Sequence, residues 1–146
     1  MKRALTLLVV ASLGVGCSNS SQSPTTPSTT SSSTSAASGS AYYFTGTLAP
    51  QNSSFYSFTT AQAGTVSVTL ASLSVGPFNP TPGTSVGLGF GTPAGTGCSL
   101  TRSLKTGAGL AAQLVTAVAM GVFCVDIFDV GNLTVPTDFV VRIVHP

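Results

Sequence analysis

The chain has 146 residues, of which only 5% are charged, and a formal net charge of +2. Arg102, Lys105 and Arg142 balance the three aspartates, so the excess positive charge comes from Lys2 and Arg3. This leaves no basic surface that would displace counterions from a polyanion, and we expect no nucleic-acid partner. One histidine and three carboxylates give general acid–base catalysis little to work with, so we predict that the protein is not an enzyme.

Residues 1–16 have the layout of a secretory signal peptide. Lys2 and Arg3 precede an apolar run of about a dozen residues, well short of the ~20 that a membrane-spanning helix needs. The run ends at Gly16, a small residue immediately before Cys17. We therefore expect residues 1–16 to be removed when the chain is exported.

The segment Leu13–Cys17 resembles the lipobox of bacterial lipoproteins. The resemblance implies that Cys17 receives a diacylglycerol and becomes the first residue of the mature protein, anchored to a membrane of the cell envelope. Gly14 stands where the lipobox prefers leucine, with Leu13 one place earlier. An ordinary cleaved signal that happens to carry a cysteine shares this layout and is the alternative. Ser18, rather than aspartate, follows the cysteine, which by resemblance to lipoprotein sorting rules favours the outer membrane.

Residues 17–40 are expected to form a tether. After Cys17 the tract is dominated by serine and threonine, with Pro24 and Pro27 and no charged residue. Such a composition cannot build a core, so we expect it to be disordered, with a root-mean-square reach of about 25 Å. The same composition would suit a platform for O-linked sugars, which is the alternative.

Residues 41–146 are expected to form one β domain, because they are rich in Val, Thr, Phe, Gly and Pro rather than in helix formers. Apolar residues alternate with small ones in Val66–Leu70 and Val86–Phe90, as in half-buried strands. Many short strands separated by turn residues predict an all-β antiparallel sandwich. Further strands are predicted over Tyr42–Leu48, Ser54–Thr60, Val122–Phe128 and Asp138–Val144.

Residues 108–120 are ambiguous by composition. Their Ala, Leu, Gln and Met favour a helix, but Gly107, Gly109 and Gly121 interrupt or flank the segment. Because the neighbouring segments all read as β, we expect strand and loop here, with a short helix as the alternative.

The cysteines predict one disulfide bond. Three cysteines are an odd number for an exported chain, but a lipid on Cys17 leaves Cys98 and Cys124 as a pair. Metal binding is disfavoured, because one pair of cysteines with no histidine between them cannot supply four ligands. Redox catalysis is disfavoured because the pair lacks CxxC spacing. We predict no metal and no cofactor.

Five segments of the predicted domain show short strand patterns in a characteristic order. They are Phe44–Leu48, Phe55–Phe58, Gly64–Leu70, Gly121–Asp129 and Phe139–Val144. In this order they resemble bacterial pre-peptidase C-terminal domains, and the resemblance implies a jelly-roll-like sandwich that serves attachment or recognition. That family is usually appended to secreted peptidases, whereas no catalytic domain is evident in this chain. Some relatives bind calcium through acidic residues before the first strand, where this chain is uncharged, so calcium is not expected.

Side chains for binding are few. Tyr42, Tyr43 and Tyr56 are the candidate ligand contacts, because their rings can stack on a sugar, although strand alternation should bury some of them. Asp126 and Arg142 are expected to form a structural ion pair if the last two strands are antiparallel neighbours.

No catalytic residue is assigned. His145 is next to the C-terminus, where a frayed end holds an imidazole poorly against a nucleophile, so a serine or cysteine triad is not expected. A hydrolase is the least favoured hypothesis.

Two hypotheses of function remain. The first is a lipid-anchored recognition or adhesion module that binds a glycan, a polymer or a protein of the envelope. The alternative is a structural envelope subunit that packs against a partner protein. A recognition module should show clustered exposed aromatic rings with hydrogen-bonding side chains, and a structural subunit should show a larger apolar patch or an open sheet edge.

Overall fold

The computed structural model of the protein describes residues 39–77 and 79–146. The predicted signal peptide, the lipidation site Cys17 and the predicted tether up to residue 38 lie outside the described residues. No described segment forms a helix long and apolar enough to cross a membrane. The strands are β1 (Ser40–Leu48), β2 (Ser53–Thr60), β3 (Gly64–Ser74), β4 (Val86–Ala94), β5 (Gly97–Thr106), β6 (Leu114–Val118), β7 (Gly121–Phe128) and β8 (Thr137–His145).

These eight strands form two antiparallel four-stranded sheets that pack as a sandwich. Sheet A has the strand order β1-β8-β3-β6, and sheet B has the order β2-β7-β4-β5. Successive strands change sheet at every connection except the β4–β5 hairpin. This is the order of an eight-stranded jelly roll. The predicted all-β, jelly-roll-like antiparallel sandwich is confirmed.

The predicted strands agree with those observed. Each of the six segments predicted as a strand lies within one, and residues 108–120 contain only the five-residue β6 and loop, as predicted. The strand β5 is not predicted by alternation. It is an edge strand of mostly exposed Ser, Thr, Arg and Lys residues, so almost nothing in its sequence marks a buried face.

The core lies between the two sheets and follows the alternation of the strands. Val66, Val68 and Leu70 of β3 and Val141 and Ile143 of β8 are at most 1% exposed. Burying each such side chain contributes about 1.5–3 kcal/mol. The other apolar members of the core cluster are Leu48, Phe58, Leu73, Val86, Leu88, Phe90, Leu114, Val125, Ile127, Leu133 and Phe139.

The predicted disulfide bond between Cys98 and Cys124 is confirmed. It joins β5 to β7, which flank β4, with the two Cα atoms 5.9 Å apart. Regular ladder spacing would keep the outer two of three strands roughly 10 Å apart. Two features allow Cys98 and Cys124 to come closer than this. Thr101 is an extra residue in the β4–β5 ladder, and the β5 backbone lies against Gly91, which has no side chain to block it.

The two ends of the sandwich are defined by the pairing of β1 with β8. Ser40 pairs with His145 at what we call the N-terminal end, and Leu48 pairs with Thr137 at the distal end. Asp129 joins two loops of the distal end, because its carboxylate accepts hydrogen bonds from the amides of Gln51, at 2.8 Å, and of residues 131–133. These bonds, the Gln51 amide first, lower the pKa of Asp129.

Candidate functional site

The three candidate tyrosines do not share a surface. Tyr42 stacks on the ring of His145 at the N-terminal end, with ring centroids 5.0 Å apart. Tyr43, the next residue of β1, points to the opposite side and is 64% exposed on the outer face of sheet A. Tyr56 stacks on Phe44 and packs against the core. The three rings therefore cannot act as one stacking platform.

His145 is a core residue, so the expectation of a frayed C-terminal end is wrong. It is the last residue of β8, is 4% exposed and packs against Phe58 as well as Tyr42. Its Nδ1 atom lies 2.9 Å from the Pro146 carbonyl oxygen. Asp138 is on the same strand but seven residues away, about 23 Å, so it cannot orient this imidazole. That the protein is not an enzyme stays a prediction.

The predicted ion pair between Asp126 and Arg142 is wrong. Asp126 lies on β7 in sheet B and Arg142 on β8 in sheet A, and in the jelly roll these successive strands are not ladder neighbours. Asp126 alternates with the core residues Val125 and Ile127, so it points to the outer face of sheet B. Arg142 is exposed on the outer face of sheet A. The whole sandwich separates the two side chains.

A cleft of about 430 Å³ opens at the distal end. This volume falls within the range of roughly 300–1,000 Å³ that is typical of small-molecule sites. Its floor is Ala71–Leu73 of β3, and its walls are Pro80–Ser85 of the β3–β4 loop together with Gly107 and Ala108, which follow β5. A smaller cavity of about 170 Å³ adjoins it and shares two wall residues, Thr81 and Thr84.

The floor of the cleft forms where β3 loses its strand partner. The β3–β6 ladder ends at the pair Val68 and Leu114. Beyond this pair, Gln113 and Gly109 take the place of a neighbouring strand. The Gln113 side-chain Oε1 accepts a hydrogen bond from the Leu70 amide at 2.8 Å, and the Gly109 amide donates one to the Leu70 carbonyl at 2.9 Å. A bulge follows between Leu70 and Ser72. Beyond this bulge the β6 side of β3 is left open as the cleft.

The loop wall is held to the floor by its own hydrogen bonds. The amide and the Oγ1 hydroxyl of Thr81 both donate to the Leu73 carbonyl, at 3.1 and 3.2 Å, and the Thr84 amide donates to the Thr81 carbonyl at 3.2 Å. Pro80 forms an isolated β-bridge with Ser74, and prolines have a fixed φ. The cleft is therefore largely formed before any ligand arrives.

The lining of the cleft is uncharged. Ser72, Thr81, Thr84 and Ser85 are hydroxyl-bearing residues along it, while Ala71 and two prolines give apolar surface. A hydroxyl both donates and accepts hydrogen bonds, which suits neutral polar ligand groups. A charged ligand group would lose water without gaining a counter-charge. The cleft is suited to an uncharged ligand that has both hydroxyl groups and apolar C–H faces.

No family model matches the chain, and no curated protein matches it. The resemblance to pre-peptidase C-terminal domains therefore stays a prediction. Within residues 39–77 and 79–146, no group of three or more His, Cys, Asp or Glu side chains is placed to hold a metal ion.

Proposed function

We propose that the protein is a lipid-anchored envelope protein that displays its sandwich as a non-catalytic recognition module. The observation that supports this most is the position of the uncharged cleft. Strand β1 begins at Ser40 and runs nine residues, about 27 Å, to Leu48 at the distal end, where the cleft opens. The cleft thus lies at the end of the domain opposite to the point where the proposed tether joins it.

Export and anchoring are supported by three features. Residues 1–16 have the layout of a signal peptide, and Cys17 stands in a lipobox-like position before the Ser/Thr-rich tract. The disulfide between Cys98 and Cys124 fits an oxidising compartment, where such bonds persist. Together these features favour a location in the cell envelope, with the outer membrane as the proposed anchor site.

The ligand class we favour for the cleft is a neutral glycan or glycan-like polymer. The hydroxyl groups of a sugar can exchange hydrogen bonds with the serine and threonine hydroxyls of the lining. The C–H faces of the sugar ring can pack on Ala71 and the two prolines. Because the lining holds no titratable group, binding should depend little on salt or pH.

A structural subunit remains the second candidate, because the edge of β1 is unprotected. This edge strand has nine residues, carries no charge and no proline, and pairs with β8 without a bulge. Edge strands of natural proteins usually carry a charge, a proline or a bulge, which prevents pairing with another chain. Leu110 and Met120 add single exposed apolar side chains, at 99% and 72% exposure. Under this second hypothesis, the partner protein would contact the β1 edge, Leu110 and Met120 rather than the cleft.

Filling the cleft tests the recognition function. The variant Ala71→Phe places a ring on the exposed part of the cleft floor, and we expect it to weaken binding to a neutral glycan at least about tenfold, equivalent to 1.4 kcal/mol. The matched control is Ala117→Phe, also at an exposed alanine of sheet A but away from the cleft. Binding is measured on an array of neutral and anionic glycans, with the hits followed by calorimetry.

Two outcomes would count against the proposal. Glycan binding that survives Ala71→Phe would place the site elsewhere on the domain. No binding to any neutral glycan, combined with capture of a stable protein partner by crosslinking at β1, would favour the structural subunit.

A further inference from the structure

A carboxylate lies within a half-exposed apolar cluster on the outer face of sheet B. Asp126 pairs with Phe55 of β2 on one side and with Gly89 of β4 on the other, and directly opposed residues share a face. The Leu100 side chain covers Gly89, where a Cβ atom would lie only 2.6 Å from a Leu100 methyl carbon. Phe55 and Leu100 are each 37% exposed. They form the apolar flanks of the carboxylate.

The apolar cluster continues along β7. Phe128 and Cys124 are two residues from Asp126 on either side and therefore share its face. The ring of Phe128 covers Gly87, and Cys124 is tied to Cys98. Asp126 is thus surrounded by two aromatic rings, a leucine and a disulfide bond.

The Asp126 carboxyl group has no counter-charge in the part of the chain that the structure describes. Its Oδ1 atom is buried and has no hydrogen-bond partner there. Burial raises the pKa of Asp126, against the smaller opposing effect of the Ile127 and Ser54 amides. On the neighbouring strands of sheet B, β2 and β4 carry no charged residue, and Lys105 of β5 is exposed and forms no ion pair with Asp126.

A carboxyl group with one buried, unpaired oxygen atom and no counter-charge destabilises the fold, so its presence calls for another explanation. Perturbed carboxyl groups of this kind concentrate at binding sites. A single positively charged group would complement the Asp126 carboxylate. The flanking Phe55 and Leu100 side chains could pack against the alkyl stem of a residue that carries this positive charge. Next to Phe55, β2 is an uncharged edge strand, along which the backbone of another protein can lie.

We propose that this face docks a lysine or arginine side chain of a partner protein, with Asp126 as the counter-ion and with Phe55 and Leu100 packed against the alkyl stem. This surface is distinct from the cleft at the distal end. Binding at this surface is a function additional to recognition by the cleft, and an experiment can disprove binding at either site without affecting the other.

Asp126 should destabilise the free protein at neutral pH, and this is the first test. Because its folded-state pKa is raised above the ordinary value of 3.8, stability falls as the pH rises through the raised pKa. We expect Asp126→Asn to have a higher Tm than the wild type at neutral pH, with the difference closing on acidification. Asp138→Asn, which removes the same charge from sheet A, is the control. A wild type as stable as Asp126→Asn at neutral pH would show that the charge is already compensated and would overturn the proposal.

Binding is tested by an NMR titration of the full mature chain, following the Asp126 side-chain carboxyl resonance. The probe is a capped five-residue peptide with one central lysine between valines, and its matched control has norleucine in place of lysine. We expect a saturable shift at Asp126, Phe55 and Leu100 with the lysine peptide, none with the norleucine peptide, and none in Asp126→Asn.

Three results would overturn the proposal. They are the absence of a saturable shift, a shift that persists in Asp126→Asn, and a shift produced equally by both peptides. A parallel titration with n-butylammonium separates the source of the cation. Binding of n-butylammonium without binding of the lysine peptide would identify a free amine and contradict a protein partner.

Discussion

Replacing both Cys98 and Cys124 by alanine will lower the free energy of unfolding by about 3 kcal/mol. The bond closes a loop with a sequence separation of 26 residues, and without it the unfolded chain regains the corresponding conformational entropy. The Cys124 side chain is also fully buried, so alanine leaves a small void. Urea unfolding followed by circular dichroism measures the change.

The matched comparison is the wild type under reducing conditions. Reduction removes the covalent constraint and leaves both sulfur atoms in place, so the reduced wild type should lie close to the alanine variant, with the remaining difference reporting the void. A double variant as stable as the oxidised wild type would show that the bond contributes nothing to the fold.

The variant Gly91→Ala will destabilise the domain by a similar amount, about 3 kcal/mol, at the upper end of typical overpacking costs. A Cβ atom at Gly91 would overlap the Ser99 carbonyl, which is backbone and cannot rotate away. The disulfide at Cys98 holds this part of β5 in place. The control is Gly97→Ala, because the nearest atom to its new Cβ is the Ala94 carbonyl oxygen at 3.9 Å, an ordinary contact. We expect this control to be neutral or slightly stabilising.

A double-mutant cycle joins these two predictions. Without the disulfide, the start of β5 can lift away from β4, so Gly91→Ala should cost less in the alanine background than in the wild type. Equal costs in both backgrounds would mean that the bond does not restrain β5 against Gly91. A Gly91→Ala cost no larger than that of Gly97→Ala would contradict the close approach itself.

The strands other than β5 and β6 were predictable because alternation is a local property. Val66–Leu70 and Val86–Phe90 carry the period of two that a half-buried strand requires. The order of strands within the sheets is not local, and the error at Asp126 and Arg142 follows from this. The ion pair was predicted on the condition that the last two strands are ladder neighbours, whereas the jelly roll places them in different sheets.

The sequence itself contains the evidence against two of the site predictions, the shared tyrosine surface and the frayed position of His145. Tyr42 and Tyr43 are adjacent on one strand, so their rings had to point to opposite sides. Val141, Ile143 and His145 continue the inward-facing alternation of the last strand, which places the histidine in the core despite its position near the C-terminus.

The cleft had no comparable signal in the sequence. Its walls come from Pro80–Ser85, which reads as ordinary turn material, and its floor depends on the bulge after Leu70 and on the early end of β6. Bulges and loop attachments depend on tertiary contacts rather than on residue type. The exposed apolar setting of Asp126 was equally hidden, because it depends on Gly89 leaving room for a leucine from another strand.

The intact mass of the protein from its native cells tests the proposed lipid anchoring of the displayed domain. We predict a chain that begins at Cys17 and carries acyl groups, which partitions into detergent, while Cys17→Ala gives an unlipidated product in the aqueous phase. A native chain without acyl groups, with a free thiol at Cys17 and no partition into detergent, would contradict anchored display.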